Sequence, residues 1–370
     1  MEHARKVRFA VVGLGHIAQV AVLPGFAHAD DAELVAFFSD DPTKRAELGK
    51  KYDVEGLHGY ESYDEVLDRG EIDAVYIALP NHLHADYTIR AAQRGVHVLV
   101  EKPMAIDERE CFAMIAAAER HGVKLMVAYR LHFDPANLDA IAQVQKGRLG
   151  RPRCFVSTFT QNVVAGNVRL LPVAQGGGPV YDMGIYCINA ARYLFRAEPT
   201  RVTAFACERD DERFRDAPEM VGALLEFPDD RLAHFTCSFG GADASRYEVI
   251  GDRGRLVMEP AYEYAEGLRY TIEVEGDKTA VERFAKHDQF GAELQYFSEC
   301  VRENRPIEPD GHEGLADVRI IRAIHESAKT GAAVALPRSE KRDWPSETQA
   351  YALPGVRKPK TVHSQSPSGD

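Results

Sequence analysis

The sequence lacks the features that mark several classes of protein. It has one tryptophan and six cysteines among 370 residues, and no two cysteines form a Cys-x-x-Cys pair. No cysteine lies beside a histidine at the spacing of zinc ligands, so neither a disulfide framework nor a zinc site is expected. No apolar run approaches the roughly 18 residues that a membrane helix requires. These absences predict a soluble protein with reduced, mostly buried thiols.

Basic residues are also in the minority. Lys and Arg together number 45 against 57 Asp and Glu, which gives a formal net charge of −12. Nucleic acids and anionic membranes are bound by basic surfaces that neutralise phosphate, so neither partner is expected. Residues 1–6 lead directly into a strand pattern and leave no room for a signal peptide, which predicts a cytoplasmic location.

The length favours two domains. In the first part of the chain, short apolar runs alternate with helix-length amphipathic stretches, and such runs are typical of parallel strands buried on both faces. The alternation predicts a doubly wound α/β domain over residues 1–130. Strands are predicted at 7–12, 34–38, 74–79, 96–100 and 125–128, and helices at 43–52, 84–94, 108–120 and 137–146.

After Gly150 the pattern changes to short strands joined by tight turns. The turns Pro228-Asp229-Asp230 and Gly251-Asp252-Arg253-Gly254 join their neighbours closely enough for antiparallel hairpins. This predicts an α+β domain with a mostly antiparallel open sheet over residues 131–336. Strands are predicted at 153–160, 200–207, 221–227, 232–239, 247–250 and 256–259, and helices at 181–194, 293–302 and 314–329.

The last segment, residues 337–370, is rich in Pro, Ser and Lys and has no apolar period. This composition predicts an extended or disordered arm. Residues after about position 347 carry no motif and are expected to be dispensable for the chemistry. The single tryptophan, Trp344, favours the alternative that part of the arm docks.

A glycine motif follows the first predicted strand: Gly13-Leu14-Gly15-His16-Ile17-Ala18. In this G-x-G-x-x-A fingerprint, Gly13 permits the tight turn, Gly15 lets the backbone approach a pyrophosphate, and Ala18 lets helix and strand pack closely. The N-terminus of the following helix offers free N–H groups and a partial positive charge to the phosphates. The motif therefore predicts dinucleotide binding.

The end of the second strand bears on which dinucleotide is bound. NAD-binding domains usually place an acid here for the ribose hydroxyls, and this chain has Ser39, with Lys44 and Arg45 following. A small hydroxyl and two cations favour the 2′-phosphate of NADP. Asp40 and Asp41 favour NAD, which stays open as the alternative, and the two cations could also form a solvated helix face.

Two further features carry residues suited to acid–base chemistry. Lys102 follows the strand 96–100, at the sheet edge where open α/β folds bind ligands. Glycines 176–178 open a helix on which Asp182 and Tyr186 lie four residues apart, on one face. The alternatives are that Glu101 and Lys102 form a surface ion pair, and that Asp182 caps the helix while Tyr186 packs in the core.

The pair His82 and His84 has a spacing that metal ligands can adopt. No acidic or sulfur-bearing residue joins it at a useful distance along the chain, so no metal site is expected. His84 is expected instead to begin a helix near the cofactor.

Taken together and in this order, the motifs resemble those of the Gfo/Idh/MocA oxidoreductase family, and within it the glucose–fructose oxidoreductase-like sugar dehydrogenases. The resemblance covers roughly residues 7–336. The motifs that carry it are Gly13-Leu14-Gly15, Pro80-Asn81-His82-Leu83-His84, Glu101-Lys102-Pro103, Tyr129-Arg130-Leu131-His132-Phe133-Asp134, Gly176-Gly177-Gly178, Asp182-Met183-Gly184-Ile185-Tyr186 and Gly314-Leu315-Ala316-Asp317-Val318-Arg319.

The resemblance implies a Rossmann domain followed by an α+β domain, whose open sheet often pairs subunits into a dimer or tetramer. It implies that Lys102 binds the hydroxyl or carbonyl being transformed, that Tyr186 transfers the proton, and that Asp182 and Arg169 help to bind substrate. Val168 stands where many relatives have a tryptophan, so of that pair only Arg169 carries over. The resemblance further implies cofactor contacts for His16, Ile17, Pro80, Asn81, His84, Glu101, Lys102 and Arg130.

The predicted function is reversible hydride transfer between NADP(H), or alternatively NAD(H), and a hydroxyl-bearing carbon of a sugar or cyclic polyol. One alternative is the same reaction on a nucleotide-linked sugar, an inositol or an anhydro-sugar. Another is a ligand-sensing regulator without turnover, which would be expected to lack Lys102 or the Asp182–Tyr186 pair. A scaffolding role would leave the intact glycine fingerprint unexplained.

Overall fold

The computed structural model describes residues 5–338, 341 and 343–369. The chain divides into two compact units. The first consists of Met1–Arg130, Asp288–Leu315 and Tyr351–Ser366, and the second of Leu131–His287, Ala316–Ala350 and Pro367–Asp370. The domain limits predicted from the sequence, 1–130, 131–336 and 337–370, stay predictions.

The first unit is built on a six-stranded sheet with the order β3-β2-β1-β4-β5-β6, in which all neighbours are parallel. The order reverses between β1 and β4, and doubly wound sheets bind ligands outside the carboxyl ends of strands at such a reversal. The doubly wound α/β prediction is confirmed. The strands are β1 (Val7–Val12), β2 (Ala32–Phe38), β3 (Gly56–His58), β4 (Ala74–Ile77), β5 (His97–Glu101) and β6 (Leu125–Ala128).

Helices α2 (Pro42–Tyr52) and α5 (Glu108–His121) of the first unit begin at aspartate caps. The Asp41 carboxylate accepts from the Lys44 N–H at 3.0 Å, and the Asp107 carboxylate accepts from the Glu110 N–H at 2.8 Å, which satisfies donors that a helix start leaves free. The helices are α1 (Leu23–Gly25), α2 (Pro42–Tyr52), α3 (Tyr63–Asp68), α4 (His84–Ala92), α5 (Glu108–His121), α6 (Pro135–Gln145), α7 (Ile185–Phe195), α8 (Gln289–Arg302) and α9 (Gly311–Thr330).

Helix α8 belongs to the first unit although the chain reaches it only after most of the second. Its Phe297 ring lies 5.8 Å from the ring of Phe9 in β1, so α8 covers part of the parallel sheet. The first residues of α9 also belong to this unit, and the rest of that helix belongs to the second.

The second unit is built on a nine-stranded sheet with the order β14-β13-β12-β11-β7-β10-β9-β8-β15, and its neighbours are antiparallel except for β7 and β10. The mostly antiparallel prediction is therefore confirmed. Pro228, Asp229 and Asp230 join β9 to β10, and both aspartates have positive φ, a conformation that Asp tolerates in turns. The strands are β7 (Pro152–Thr160), β8 (Arg201–Cys207), β9 (Met220–Phe227), β10 (Arg231–Ser238), β11 (Ala244–Gly251), β12 (Gly254–Met258), β13 (Arg269–Val274), β14 (Ala280–Arg283) and β15 (Val334–Ala335).

The two faces of this sheet differ in exposure. Alternate residues such as Phe155, Phe235 and Tyr247 are buried, whereas Phe205 is 72% exposed and Leu232 is 44% exposed. Side chains alternate between the faces of a strand, so one face forms the core of the unit and the other presents apolar side chains to solvent.

The arm docks on the first unit in the segment Tyr351–Ser366. The buried side chain of Gln19 donates to the Val362 carbonyl at 2.9 Å and accepts from the Val362 N–H at 2.8 Å. His363 Nδ1 lies 2.9 Å from Asp41 Oδ2. Composition gave no signal for these polar contacts. In the second unit, Trp344 packs edge-on against Tyr193, with ring centroids 6.4 Å apart.

Candidate active site

The glycine fingerprint forms a turn that leaves space for a phosphate group. Gly13 has φ +97°, and a Cβ on it would lie 2.5 Å from the Ala78 carbonyl oxygen, so only glycine fits. A Cβ on Gly15 would have no atom within 4 Å among the described residues. His16 and Ile17 follow, and the chain then enters the π-helical turn Ala18–Val22. The open space above Gly15 fits the pyrophosphate of a dinucleotide.

The residues predicted to select the cofactor cluster between β2 and α2. Ser39 is buried, and the Arg45 guanidinium donates to its carbonyl oxygen. Lys44 lies in the first turn of α2, where Asp41 caps the helix. Hydrogen bonds from the Lys44 N–H and from His363 lower the pKa of Asp41. Two cations and a histidine thus border the end of β2, together with the Asp41 carboxylate that contacts His363. The cations suit a 2′-phosphate.

The segment after β4 begins with Pro80 and Asn81 and leads into α4. The buried ring of His84 lies 2.8 Å from the Leu79 carbonyl through Nε2 and 2.8 Å from the Pro103 carbonyl through Nδ1. Burial lowers the pKa of His84 to about 4, so the ring is neutral near pH 7 and donates from one nitrogen. The neutral ring can donate to only one of these two carbonyls, so it holds one segment by a hydrogen bond and lies in contact with the other.

Lys102 lies at the carboxyl end of β5 and is partly exposed, next to the cis Lys102–Pro103 peptide. Glu101 is 9% exposed and accepts a hydrogen bond from the Tyr76 hydroxyl at 2.8 Å. This burial rules out the alternative of a Glu101–Lys102 surface pair. Arg130 is also buried, and its guanidinium donates to Gln289 Oε1.

Three buried polar residues around this strand end carry no motif: Tyr76, Gln289 and Glu293. Glu293 lies on the same helical face of α8 as the buried residues Phe290 and Phe297, and a charged residue on an apolar stripe is the signal that could have identified it.

In the second unit, the triple glycine brings Arg169 to the start of the helix. A Cβ on Gly177 would lie 1.7 Å from the Leu171 carbonyl oxygen, so the backbone approaches too closely for any side chain. The Gly178 N–H donates to the Arg169 carbonyl at 2.9 Å. These contacts hold the segment that carries Arg169 against the glycines.

Asp182 pairs with Arg169 and does not cap the helix. Arg169 Nε lies 2.6 Å from Asp182 Oδ2. Burial opposes the charge of Arg169, but the Asp182 carboxylate outweighs it and raises the pKa of the guanidinium. The chain around Asp182 is the π-helical turn Val180–Gly184, which continues into α7, so the predicted helix 181–194 begins with a wider turn. π-Helical turns are frequent at functional sites.

Tyr186, in the first turn of α7, lies among aromatic rings. Its ring centroid is 5.6 Å from that of Phe159 and 5.9 Å from that of Tyr262. Tyr262 is itself fixed by a 2.7 Å hydrogen bond to the Ser157 hydroxyl. Tyr186 is only partly buried, so it is oriented by aromatic neighbours without being a core residue.

The structure thus groups the predicted site residues within each unit. The glycine fingerprint, the basic cluster after β2 and Lys102 lie in the first unit, which carries the dinucleotide fingerprint. Asp182, Arg169 and Tyr186 lie in the second, where a carboxylate, a guanidinium and a phenol suit a polyhydroxylated ligand.

Two family models match the chain. The model described as an oxidoreductase family with an NAD-binding Rossmann fold matches residues 7–129, and the model of the GFO/IDH/MocA C-terminal domain matches residues 138–257.

Relatives of known structure or activity match over most of their length. The aldose-aldose oxidoreductase from Caulobacter crescentus, solved with glycerol, is 36% identical with a TM-score of 0.85, over 90% of this chain and 100% of that one. A 3-ketoreductase from Actinomadura kijaniata, solved with NADP and TDP-benzene, is 27% identical with a TM-score of 0.79, over 87% and 98%. The D-xylose 1-dehydrogenase (NADP(+)) 2 of Haloferax volcanii is 32% identical over 89% and 99%.

Proposed function

The chain belongs to the Gfo/Idh/MocA oxidoreductase family, and from this premise we propose that it is an NADP-dependent oxidoreductase of aldoses. The predictions of an NAD(P)-dependent enzyme that acts on CH–OH groups of a sugar or polyol are confirmed by relatives that are sugar dehydrogenases and reductases. The observation that carries the proposal is that one chain combines the open space above Gly15 with Lys102, Asp182 and Tyr186.

The bound nicotinamide supplies hydride transfer to or from the reacting carbon. The protein's own residues handle the oxygen and the proton. Lys102 Nζ binds the reacting oxygen. The Tyr186 phenolate, which the Lys102 cation favours, takes the proton of that oxygen during oxidation, and the resulting phenol returns it during reduction. Asp182, held by Arg169 at 2.6 Å, accepts a hydrogen bond from a second hydroxyl of the sugar. Retention of all three residues argues against a regulator without turnover.

Preference for NADP over NAD is the finer part of the proposal. Ser39 places no carboxylate at the end of β2, and Lys44, Arg45 and His363 lie around the start of α2. These groups favour a 2′-phosphate. Calorimetric titration of both cofactors should give tighter binding of NADP, and equal or tighter binding of NAD would contradict the preference.

A turnover screen tests the substrate class. A panel of free aldoses, inositols, anhydro-sugars and dTDP-linked sugars, each with NADP and NAD, should give the highest kcat/KM on a free aldose. Highest activity on a dTDP-sugar would favour the reaction of the dTDP-3,4-didehydro-2,6-dideoxy-α-D-glucose 3-reductase of Actinomadura kijaniata. Tight cofactor binding without turnover on any member would favour a ligand sensor.

We further propose that the protein is a cytoplasmic homo-oligomer. The apolar side chains on the open face of the second unit's sheet, among them Phe205, Leu224 and Leu232, favour pairing of subunits through that face. All six cysteines are free thiols, which is usual in a reducing compartment. In the described part of the chain, no helix is long and apolar enough to cross a membrane.

A further inference from the structure

Three buried ionisable side chains of the first unit meet at one point: Tyr76 from β4, Glu101 from β5 and Glu293 from α8. The Tyr76 hydroxyl lies 2.8 Å from Oε1 of Glu101 and 2.8 Å from Oε1 of Glu293. Tyr76 and Glu293 are fully buried, and Glu101 is 9% exposed. The proposed reaction assigns no role to Tyr76 or Glu293.

The geometry fixes the number of protons that these three groups hold. A phenol has one proton and can donate it to only one of the two carboxyl groups. The second 2.8 Å contact is attractive only if that carboxyl carries a proton and donates it to the phenol oxygen. If both carboxyl groups were ionised, one of the two carboxylates would face a lone pair of the Tyr76 oxygen. Such a repulsive contact in a buried site has a high cost in free energy. One carboxyl group is therefore protonated.

The surroundings of the two carboxyl groups identify Glu293 as the protonated one. Glu293 Oε2 is buried and has no hydrogen-bond partner within the described residues, which a neutral acid tolerates far better than an anion. Burial and the charge of Glu101 raise the pKa of Glu293 well above its ordinary value. Burial also raises the pKa of Glu101, but Lys102 and the hydrogen bond from Tyr76 oppose that shift.

The charged groups that face this cluster come from three elements. Lys102 follows β5, Arg130 follows β6, and Asp288 caps α8. Lys102 and Arg130 favour the ionised form of Glu101. Arg130 also favours ionisation of Glu293, whereas Asp288 disfavours it. The interaction of Glu101 with Lys102 is reciprocal, so a Glu101 anion stabilises the Lys102 ammonium by the same free energy.

We propose that Glu293 is a positioning residue that keeps its proton, donates it to Tyr76 and thereby holds Glu101 ionised beside Lys102. The inference rests on the proposed function, in which Lys102 binds the reacting oxygen. Its consequence is that the Lys102 cation persists to higher pH than it would beside a neutral Glu101.

The same isosteric substitution at the two carboxyl groups tests the proposal, with the pH profile of kcat/KM on an aldose as the measurement. The alkaline limb, the decrease of kcat/KM at high pH, reports loss of the proton of Lys102. Glu101→Gln removes the neighbouring anion, so this limb should move to lower pH by about one unit. Glu293→Gln replaces a neutral acid with a neutral amide that can still donate to Tyr76, so the alkaline limb should stay in place. A shift in Glu293→Gln as large as that in Glu101→Gln would overturn the proposal.

Infrared difference spectra give a readout that needs no turnover. The carbonyl absorption of a protonated carboxyl group, present in the wild type at neutral pH, should disappear in Glu293→Gln and remain in Glu101→Gln. Loss of this absorption in Glu101→Gln alone would place the proton on the other carboxyl and overturn the assignment.

Two further variants keep the proposal testable if a glutamine variant does not fold, and separate it from the proposed role of Lys102. If a glutamine variant does not fold, Tyr76→Phe should still move the alkaline limb to lower pH, whereas Tyr63→Phe, which also removes a buried hydroxyl, should not. An unmoved limb in Tyr76→Phe would overturn the proposal. An alkaline limb that persists in Lys102→Met would contradict the proposed role of Lys102, while the infrared assignment of the proton would stand.

Discussion

Lys102 and Tyr186 are the two side chains whose replacement most directly tests the chemistry. Lys102→Met and Tyr186→Phe should each lower kcat by about 100-fold to 10,000-fold, the usual contribution of a positioned acid–base group. The double variant should lose less than the product of the two losses, because residues that act as a unit are not additive. Steady-state kinetics with the wild type's best aldose gives the measurement.

Two controls make this result interpretable. Melting temperature and cofactor affinity should stay near those of the wild type, since both side chains are partly exposed and Tyr186 keeps its ring contacts in the phenylalanine variant. Full activity in both purified single variants would refute the assigned roles.

Gly15 gives a second test at the scale of one residue. Gly15→Val should weaken both NADP and NAD by more than tenfold, because its side chain would fill the space that fits the pyrophosphate. The measurement is a fluorescence or calorimetric titration. Ala113→Val is the control, since Ala113 is exposed on α5 and lies outside the glycine fingerprint. Equal loss of affinity in both variants would refute the assignment.

At the scale of elements, His84 lies between the segments after β4 and β5, and its burial makes that junction sensitive to acid. The pKa of His84 is about 4 in the folded state against an ordinary 6.5, so the unfolded chain binds more protons between these values. Stability is then fully present above pH 6.5 and falls as the pH decreases towards 4. The loss is on the order of 3 kcal/mol, at about 1.4 kcal/mol per pH unit.

Denaturant unfolding of His84→Gln between pH 7 and pH 4.5 measures this contribution. Its free energy of unfolding should decrease less steeply with falling pH than that of the wild type. His121→Gln, which changes an exposed histidine in the last turn of α5, should keep the wild-type slope. Parallel slopes in His84→Gln and the wild type would show that His84 does not titrate on unfolding.

The elements that the sequence could predict are those determined by local pattern. The apolar runs of β1 and β6 were predicted to the residue, and the hairpin at Asp229-Asp230 follows from turn residues that tolerate positive φ. The short strands β3, β14 and β15 were not predicted, because two to four residues give no periodicity. β13 was also missed, although buried Tyr270 and Ile272 alternate along it with more exposed residues.

Long-range contacts explain what local pattern could not predict at the candidate site. The glycine fingerprint, Lys102 and Asp182 carry motifs, so their importance was visible. The pairing of Tyr76 with Glu293 joins residues 217 positions apart, and the pairing of Gln19 with Val362 joins residues 343 positions apart. Glu293 interrupts the apolar stripe of α8, but no sequence pattern indicates that its partner is Tyr76 or that Gln19 bonds Val362.

At the scale of the whole molecule, the open sheet face predicts the assembly state. Phe205→Glu combined with Leu224→Glu should shift the protein to a smaller species, because the side chains, 72% and 40% exposed in the single chain, would be buried by a partner subunit. Light scattering after size-exclusion chromatography gives the mass. Phe112→Glu is the control, since this exposed phenylalanine lies on α5 of the other unit. An unchanged mass in the double variant would exclude this face as the interface.

The first unit is built from three separate stretches of the chain, so its assembly during translation depends on when each stretch is synthesised. Residues 5–130 leave the ribosome early with the parallel sheet, but Glu293 and Gln289, which bond buried Tyr76 and Arg130, lie on α8, and Val362 bonds Gln19 from the arm. Until α8 emerges, the Arg130 guanidinium lacks the amide of Gln289 and the ring of Phe290, 6.0 Å away. A nascent chain can therefore assemble the complete nucleotide-binding unit only after residues 351–366 are made, and premature termination within the second sheet yields a unit that lacks the Gln289 contact of Arg130 and the Val362 contacts of Gln19.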